Sequence, residues 1–96
     1  MRSELSEWAK DLAQRLSPYV EDGNTTRMWQ MAIDQDQSSA VAADCISLAL
    51  ARGSLLTEHD LEMTRRAVEI GWGVSFRKVG QQILADVERS LGLVAA

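Results

Sequence analysis

Apolar residues return every three or four positions through most of the chain. That is helical spacing, and nowhere do they alternate as a strand requires. Leu5, Trp8, Ala9, Leu12, Ala13 and Leu16 form one stripe and predict a first helix over about Ser3 to Ser17. Glu4 and Glu7 suit its positive first turn, and Pro18 disfavours helical geometry at Ser17 and stops it there. Glu21-Asp22-Gly23-Asn24 has the composition of a turn. A second helix begins near Thr25, with Met28, Trp29, Ala32 and Ile33 as a narrow apolar face. The polar run from Asp34 to Ser39 then predicts a break, because Asp and Ser favour caps over helix interiors. Trp29, Ile33, Val41, Cys45 and Leu48 nevertheless keep helical spacing across that run, with only Gln37 polar among them. A continuous helix from Thr25 to Arg52 is therefore the competing reading. From about Ser39 to Arg52 the chain is rich in Ala and Leu, strong helix formers. Val41, Cys45, Leu48 and Ala49 share a face, and the alanines allow close approach, so this helix should be the most buried.

Gly53 can take the left-handed conformation that ends a helix. Thr57-Glu58-His59-Asp60 reads as a capping box, with Leu56 and Leu61 at the spacing of a hydrophobic staple. A further helix therefore starts at Thr57. A last one ends at Leu91, with Gly92 as its stop. Between them stands Gly71-Trp72-Gly73. Each glycine costs about 1 kcal/mol inside a helix, and Ser75 can cap a fresh one. Yet Leu61, Val68, Trp72, Phe76, Val79, Ile83, Val87 and Leu91 hold one stripe through the glycines. Unbroken, that helix would be about 50 Å long, too long for a compact monomer and an argument for a homodimer. A break or kink at the glycines is the preferred reading. The fold class is all-α: a compact single-domain bundle of four or five short helices.

Composition narrows the class without naming a function. Ninety-six residues, 46% apolar and 25% charged, make one globular domain with a modest core. The net charge is −4. Residues 1–48 hold eight acids against four bases, and residues 49–96 hold six of each. Such a surface repels nucleic acid overall and suits a basic protein partner. Cys45 is the lone cysteine, so no internal disulfide forms; its apolar setting marks a buried, inert thiol. No apolar run follows Met1-Arg2-Ser3-Glu4, and none approaches the length that spans a membrane. The expectation is no secretory leader, no membrane and a cytoplasmic location.

The search for chemistry returns little. Cys45 and His59 could form a nucleophile–base pair, but His59 sits in the first turn of a capped helix, where side chains face water. Asp34-x-Asp36-x-Ser38 opens like a calcium loop, then offers Ser39 where glycine is wanted and Cys45 where a bidentate Glu is wanted. Gly71-Trp72-Gly73 lacks the Lys-Ser/Thr of a phosphate loop, and no serine lies in a nucleophile-elbow pattern. The expectation is no enzyme, no cofactor and no metal. Tryptophan supplies three of the five aromatics and is enriched at interface hot spots. Trp8 belongs to its helix stripe and reads as core. Trp29, beside Met28 and Met31, and Trp72, between its glycines, are the candidates for a partner surface. The sequence therefore predicts a small acidic non-enzymatic protein-binding module, of the size and charge of immunity proteins, antitoxins and adaptors. Its partner face is Met28, Trp29 and Trp72, with Asp34 and Asp36 bordering it beside Glu21 and Asp22. The alternative is a helix-turn-helix regulator. There, Ser75 opens a recognition helix and Arg77, Lys78, Gln81 and Gln82 face base edges. The acidic total and the lack of a wider basic face weigh against it.

Overall fold

A computed structural model of the chain describes residues 2–53 and 55–92. Five α-helices and one 3-10 turn account for most of them: α1 (Arg2–Leu16), the turn Ser17–Tyr19, α2 (Gly23–Asp34), α3 (Ser38–Ala51), α4 (Glu58–Ile70) and α5 (Gly73–Ser90). No strand occurs among the described residues. The all-α bundle expected from the spacing is the fold, with a Cα radius of gyration of 12.5 Å.

Each helix boundary has a local cause. The Asp22 side chain accepts the Asn24 N–H at 2.9 Å, so α2 begins at Gly23, two residues before the predicted start. The break after Asp34 is present. The Gln37 N–H reaches the Ala32 carbonyl at 2.7 Å and the Asp36 N–H reaches that of Ile33 at 3.1 Å. That is a Schellman motif, and it places Asp36 in the left-handed region at φ 60°. The same motif closes α4: the Trp72 N–H donates to Ala67 O and the Gly71 N–H to Val68 O, with Gly71 at φ 64°. The capping box forms as read. Asp60 N–H donates to Thr57 Oγ1 at 3.2 Å, and Thr57 N–H donates to Asp60 Oδ2 at 2.9 Å. Ser54, in the linker before it, lies outside the described residues.

The break at the glycines is also real, and Gly73 is its tightest point. Gly73 sits at φ 73°, and a Cβ there would collide with the Ser39 side chain at the start of α3. Only glycine lets α5 begin so close to α3. With the long helix divided, the reason for expecting a homodimer is gone.

α3 is the central element, packing against α1, α2 and α5, while α4 packs on α5 and touches α1. Val41, Ala42, Cys45, Ile46 and Ala49 are all buried, and α3 is apolar nearly all round, as a surrounded helix must be. Trp72 bridges the halves of the core. Its ring lies 6.3 Å from that of Trp8 and 5.7 Å from that of Phe76.

Under this aromatic row lies the best-connected polar group of the core. Asp60 is fully buried, yet its carboxylate accepts the Trp8 indole N–H at 2.9 Å and two Arg15 nitrogens at 3.1 and 2.6 Å, besides the Thr57 N–H. Burial pushes its pKa up, but the Arg15, Trp8 and Thr57 donors outweigh that and hold it below the usual carboxylate range. Asp60 thus ties α1 to the start of α4, with every oxygen satisfied.

Candidate protein-docking groove

α2 and α5 both lie on α3 and leave an open groove between them. The groove holds about 510 Å³. Ala40, Ala43 and Ser47 of α3 form its floor, one helical turn apart; Met28 and Ala32 line it from α2, and Val79 and Ile83 from α5. The lips are apolar and unusually bare: Met28 is 66% exposed and Val79 51%. Small floor residues leave the groove unfilled between its walls, and Asp44 of α3 also lines it.

The predicted partner residues separate on inspection. Met28 stands on the lip. Trp29 lines the groove but is mostly buried, 5% exposed, and its indole N–H donates to Asp44 Oδ2 at 3.0 Å. It braces α2 on α3 and offers only an edge. Asp34 and Asp36 are exposed at the far end of α2. Asp34 accepts from Gln30 at 3.1 Å, and Asp36 serves as the left-handed cap. Trp72 requires correction: at 6% exposure it is a core residue packed between Trp8 and Phe76, not a surface anchor. The Schellman turn that carries it points the chain inward, and the flanking glycines exist to make that turn.

Sequence reasoning missed the α5 wall. Val79 was assigned to the core stripe that runs from Leu61 to Leu91. Once the glycines restart the helix, the buried positions of α5 are Phe76, Gly80 and Val87. Val79 precedes Gly80 and falls to the edge of that face. The phase of α5 taken alone, from Phe76 onward, carries that signal. Its pairing with Met28 across the groove is tertiary and has none.

Electrostatics distinguish this groove from a cleft of equal volume between α1 and α4. That cleft is lined by Glu4, Glu7, Asp11, His59, Glu62 and Arg66. Its charges are already paired: Glu4 and Glu62 with Arg66 at 2.9 and 3.3 Å, Glu7 with Lys10 at 3.4 Å, Asp11 with Arg15 at 2.8 Å. All ion pairs among the described residues join groups on α1, α4 and α5. Residues 17–52, through the C-cap of α3, by contrast hold Glu21, Asp22, Asp34, Asp36 and Asp44 against Arg27 and Arg52, while the rest of the chain has nine acids and eight bases. Most of the net charge of −4 therefore belongs to the α2–α3 side. Among the described residues none of those five acids has a cationic partner within salt-bridge distance.

The remaining candidates for chemistry stay apart. Cys45 is sealed in the core, where burial and neighbouring Asp44 push its thiol up to about 12, against the opposing pull of Arg15. His59 is exposed on α4. Among the described residues no group of three or more His, Cys, Asp or Glu side chains is placed to hold a metal ion, and no helix is long and apolar enough to cross a membrane. On α5, Arg77, Lys78, Gln81 and Gln82 are all exposed, and Arg77 reaches back to the Gly71 carbonyl at 3.4 Å. No known family model matches the chain, and no curated protein or solved structure matches it either.

Proposed function

We propose that the chain is a small, acidic, non-enzymatic binding module that docks a basic protein through the α2–α3–α5 groove. The observation that carries this reading is the coincidence of bare apolar lips, Met28 and Val79, with the side of the molecule that holds most of the net negative charge. Apolar anchors inside a charged, hydrated rim are the usual anatomy of a specific interface. Unpaired rim acids raise the association rate of a cationic partner and reject anionic ones. A cytoplasmic setting is part of the proposal, since a lone reduced cysteine is the common state there.

A helix-turn-helix regulator is the second reading. It is favoured by the glycine turn between α4 and α5 and by the exposed Arg77, Lys78, Gln81 and Gln82. Two cations on an otherwise balanced half supply few phosphate contacts.

The deciding experiment compares the two surfaces. Met28→Ser and Val79→Ser should each weaken binding of the co-purifying partner about tenfold, roughly 1.4 kcal/mol, with circular dichroism unchanged. Retention on heparin and duplex DNA should be weak and unaffected by Arg77→Ala. Partner binding untouched by both groove variants, with salt-sensitive DNA binding lost in Arg77→Ala and Lys78→Ala, would replace the groove reading with the regulator.

A further inference from the structure

We infer that the occupant of the groove is a single amphipathic helix bearing Lys or Arg along its flanks, which packs on α3 as a sixth helix of the bundle. The inference rests on the groove being a protein-binding site and specifies what enters it. Three observations lead there. The groove runs along α3, with floor positions Ala40, Ala43 and Ser47 and wall positions from Ser75 to Ile83 on α5. At about 1.5 Å per residue those stretches are about 10 and 12 Å long, two helical turns or slightly more. That length matches apolar anchors at i, i+4 and i+7 of a docked helix. An extended strand would need an open sheet edge to satisfy its backbone, and among the described residues there is none. A helix satisfies its own backbone and asks only for a trough.

Charge then selects the helix. The groove is skirted at one end by Glu21, Asp22 and Asp44, which share a continuous hollow with Trp29 and Ser47. At the other end of α2 stand Asp34 and Asp36. Arg52 lines that hollow as well, but its guanidinium donates to the Tyr19 carbonyl at 3.1 Å and forms no ion pair with these acids, so the five acids stand in excess over Arg27 and Arg52 and favour a cationic ligand. A second copy of this chain is disfavoured for the same reason: a symmetric contact would set two such acid-rich faces against each other.

The test uses stapled amphipathic peptides of about fourteen residues with leucine at i, i+4 and i+7. Their remaining positions are Lys in one, Gln in a second and Glu in a third. Each is titrated into the isotopically labelled intact chain while amide signals are followed. The Lys peptide should move the amides of Ala40, Ala43, Ser47 and Val79 and bind at least tenfold more tightly than the Glu peptide. Its affinity should fall at least tenfold in Met28→Ser plus Val79→Ser, and again in Ala40→Trp, which fills the trough without touching the core. Asp34→Asn plus Asp36→Asn should flatten the salt dependence of binding. If the Gln or Glu peptide occupies the groove as tightly, the site takes helices without regard to charge. The inference then fails together with the basic character of the partner, while the groove as a docking site stands. If the Lys peptide shifts signals all over the acidic side and ignores the groove variants, it adheres by charge alone and the inference also fails. If no peptide perturbs the groove, the inference and the groove reading both fall.

Discussion

Gly73→Ala tests the packing logic of the fold more sharply than any other single substitution. Two costs combine at this position. The backbone is left-handed at φ 73°, where a residue with a Cβ loses about 1–2 kcal/mol. The added methyl would lie 2.5 Å from Ser39 Cβ and collide with its Oγ, so helix starts must separate, an overpacking cost of about 1–3 kcal/mol. Together they come to about 2–5 kcal/mol. For a domain of this size, about 4–8 °C of melting temperature corresponds to each kcal/mol, so Tm should fall by at least about 8 °C. Gly71→Ala is the internal control. It shares the left-handed backbone, at φ 64°, but its new Cβ meets the exposed Arg77 side chain at 3.0 Å, which can swing aside. It should lose only about 1–2 kcal/mol. Ser39→Gly removes the obstacle at Gly73, so in a double-mutant cycle with Gly73→Ala it should recover the steric part, a coupling of about 1–3 kcal/mol. Urea titrations followed by circular dichroism measure all four variants. Equal losses at the two glycines, or no coupling to Ser39, would refute the close approach of α5 to α3.

Further expectations follow from single residues. Asp60 titrates below its ordinary range in the folded chain. Its contribution is therefore full at neutral pH, starts to fade as pH drops through about 4, and is gone below the folded value. Asp60→Asn should cost about 3 kcal/mol at pH 7 and flatten the acid limb of a stability-versus-pH curve; an unchanged limb would mean other carboxylates set it. Asp36→Gly should stabilise by about 1 kcal/mol, since the left-handed cap favours glycine, and a lower Tm would contradict that conformation. Cys45 should react with Ellman's reagent only in denaturant, because burial and a pKa of about 12 leave almost no accessible thiolate; fast labelling of the native chain would place it at the surface.

What could be read from the sequence was local. The Thr57–Asp60 box, the glycine break and the turn at Asp34 to Ser39 each depend on residues a few positions apart, and each is present. Hidden features depend on distance along the chain. Asp60 was legible as a cap but not as a buried hub, because Trp8 lies 52 residues away and Arg15 lies 45 away. Trp29 and Trp72 looked available for a partner because each sits beside breakers or polar runs. The structure instead buries both: Trp29 is tied to Asp44 of α3 by its indole N–H, and Trp72 packs between Trp8 and Phe76. The groove was half legible. Met28 and the acids near it lie in one stretch of sequence, but Val79 and Ile83 join them only after the chain has turned three times.

Photo-crosslinking in the source cells tests the central claim, that the groove is the docking surface. A benzophenone amino acid is placed at Met28, at Val79 and, as a control, at exposed Glu69 on α4. A groove that docks a basic protein helix predicts one discrete protein adduct shared by positions 28 and 79. The crosslinked peptide should be basic and amphipathic, and position 69 should give no such adduct. The same adducts from all three positions, or none from the two lips, would contradict the account.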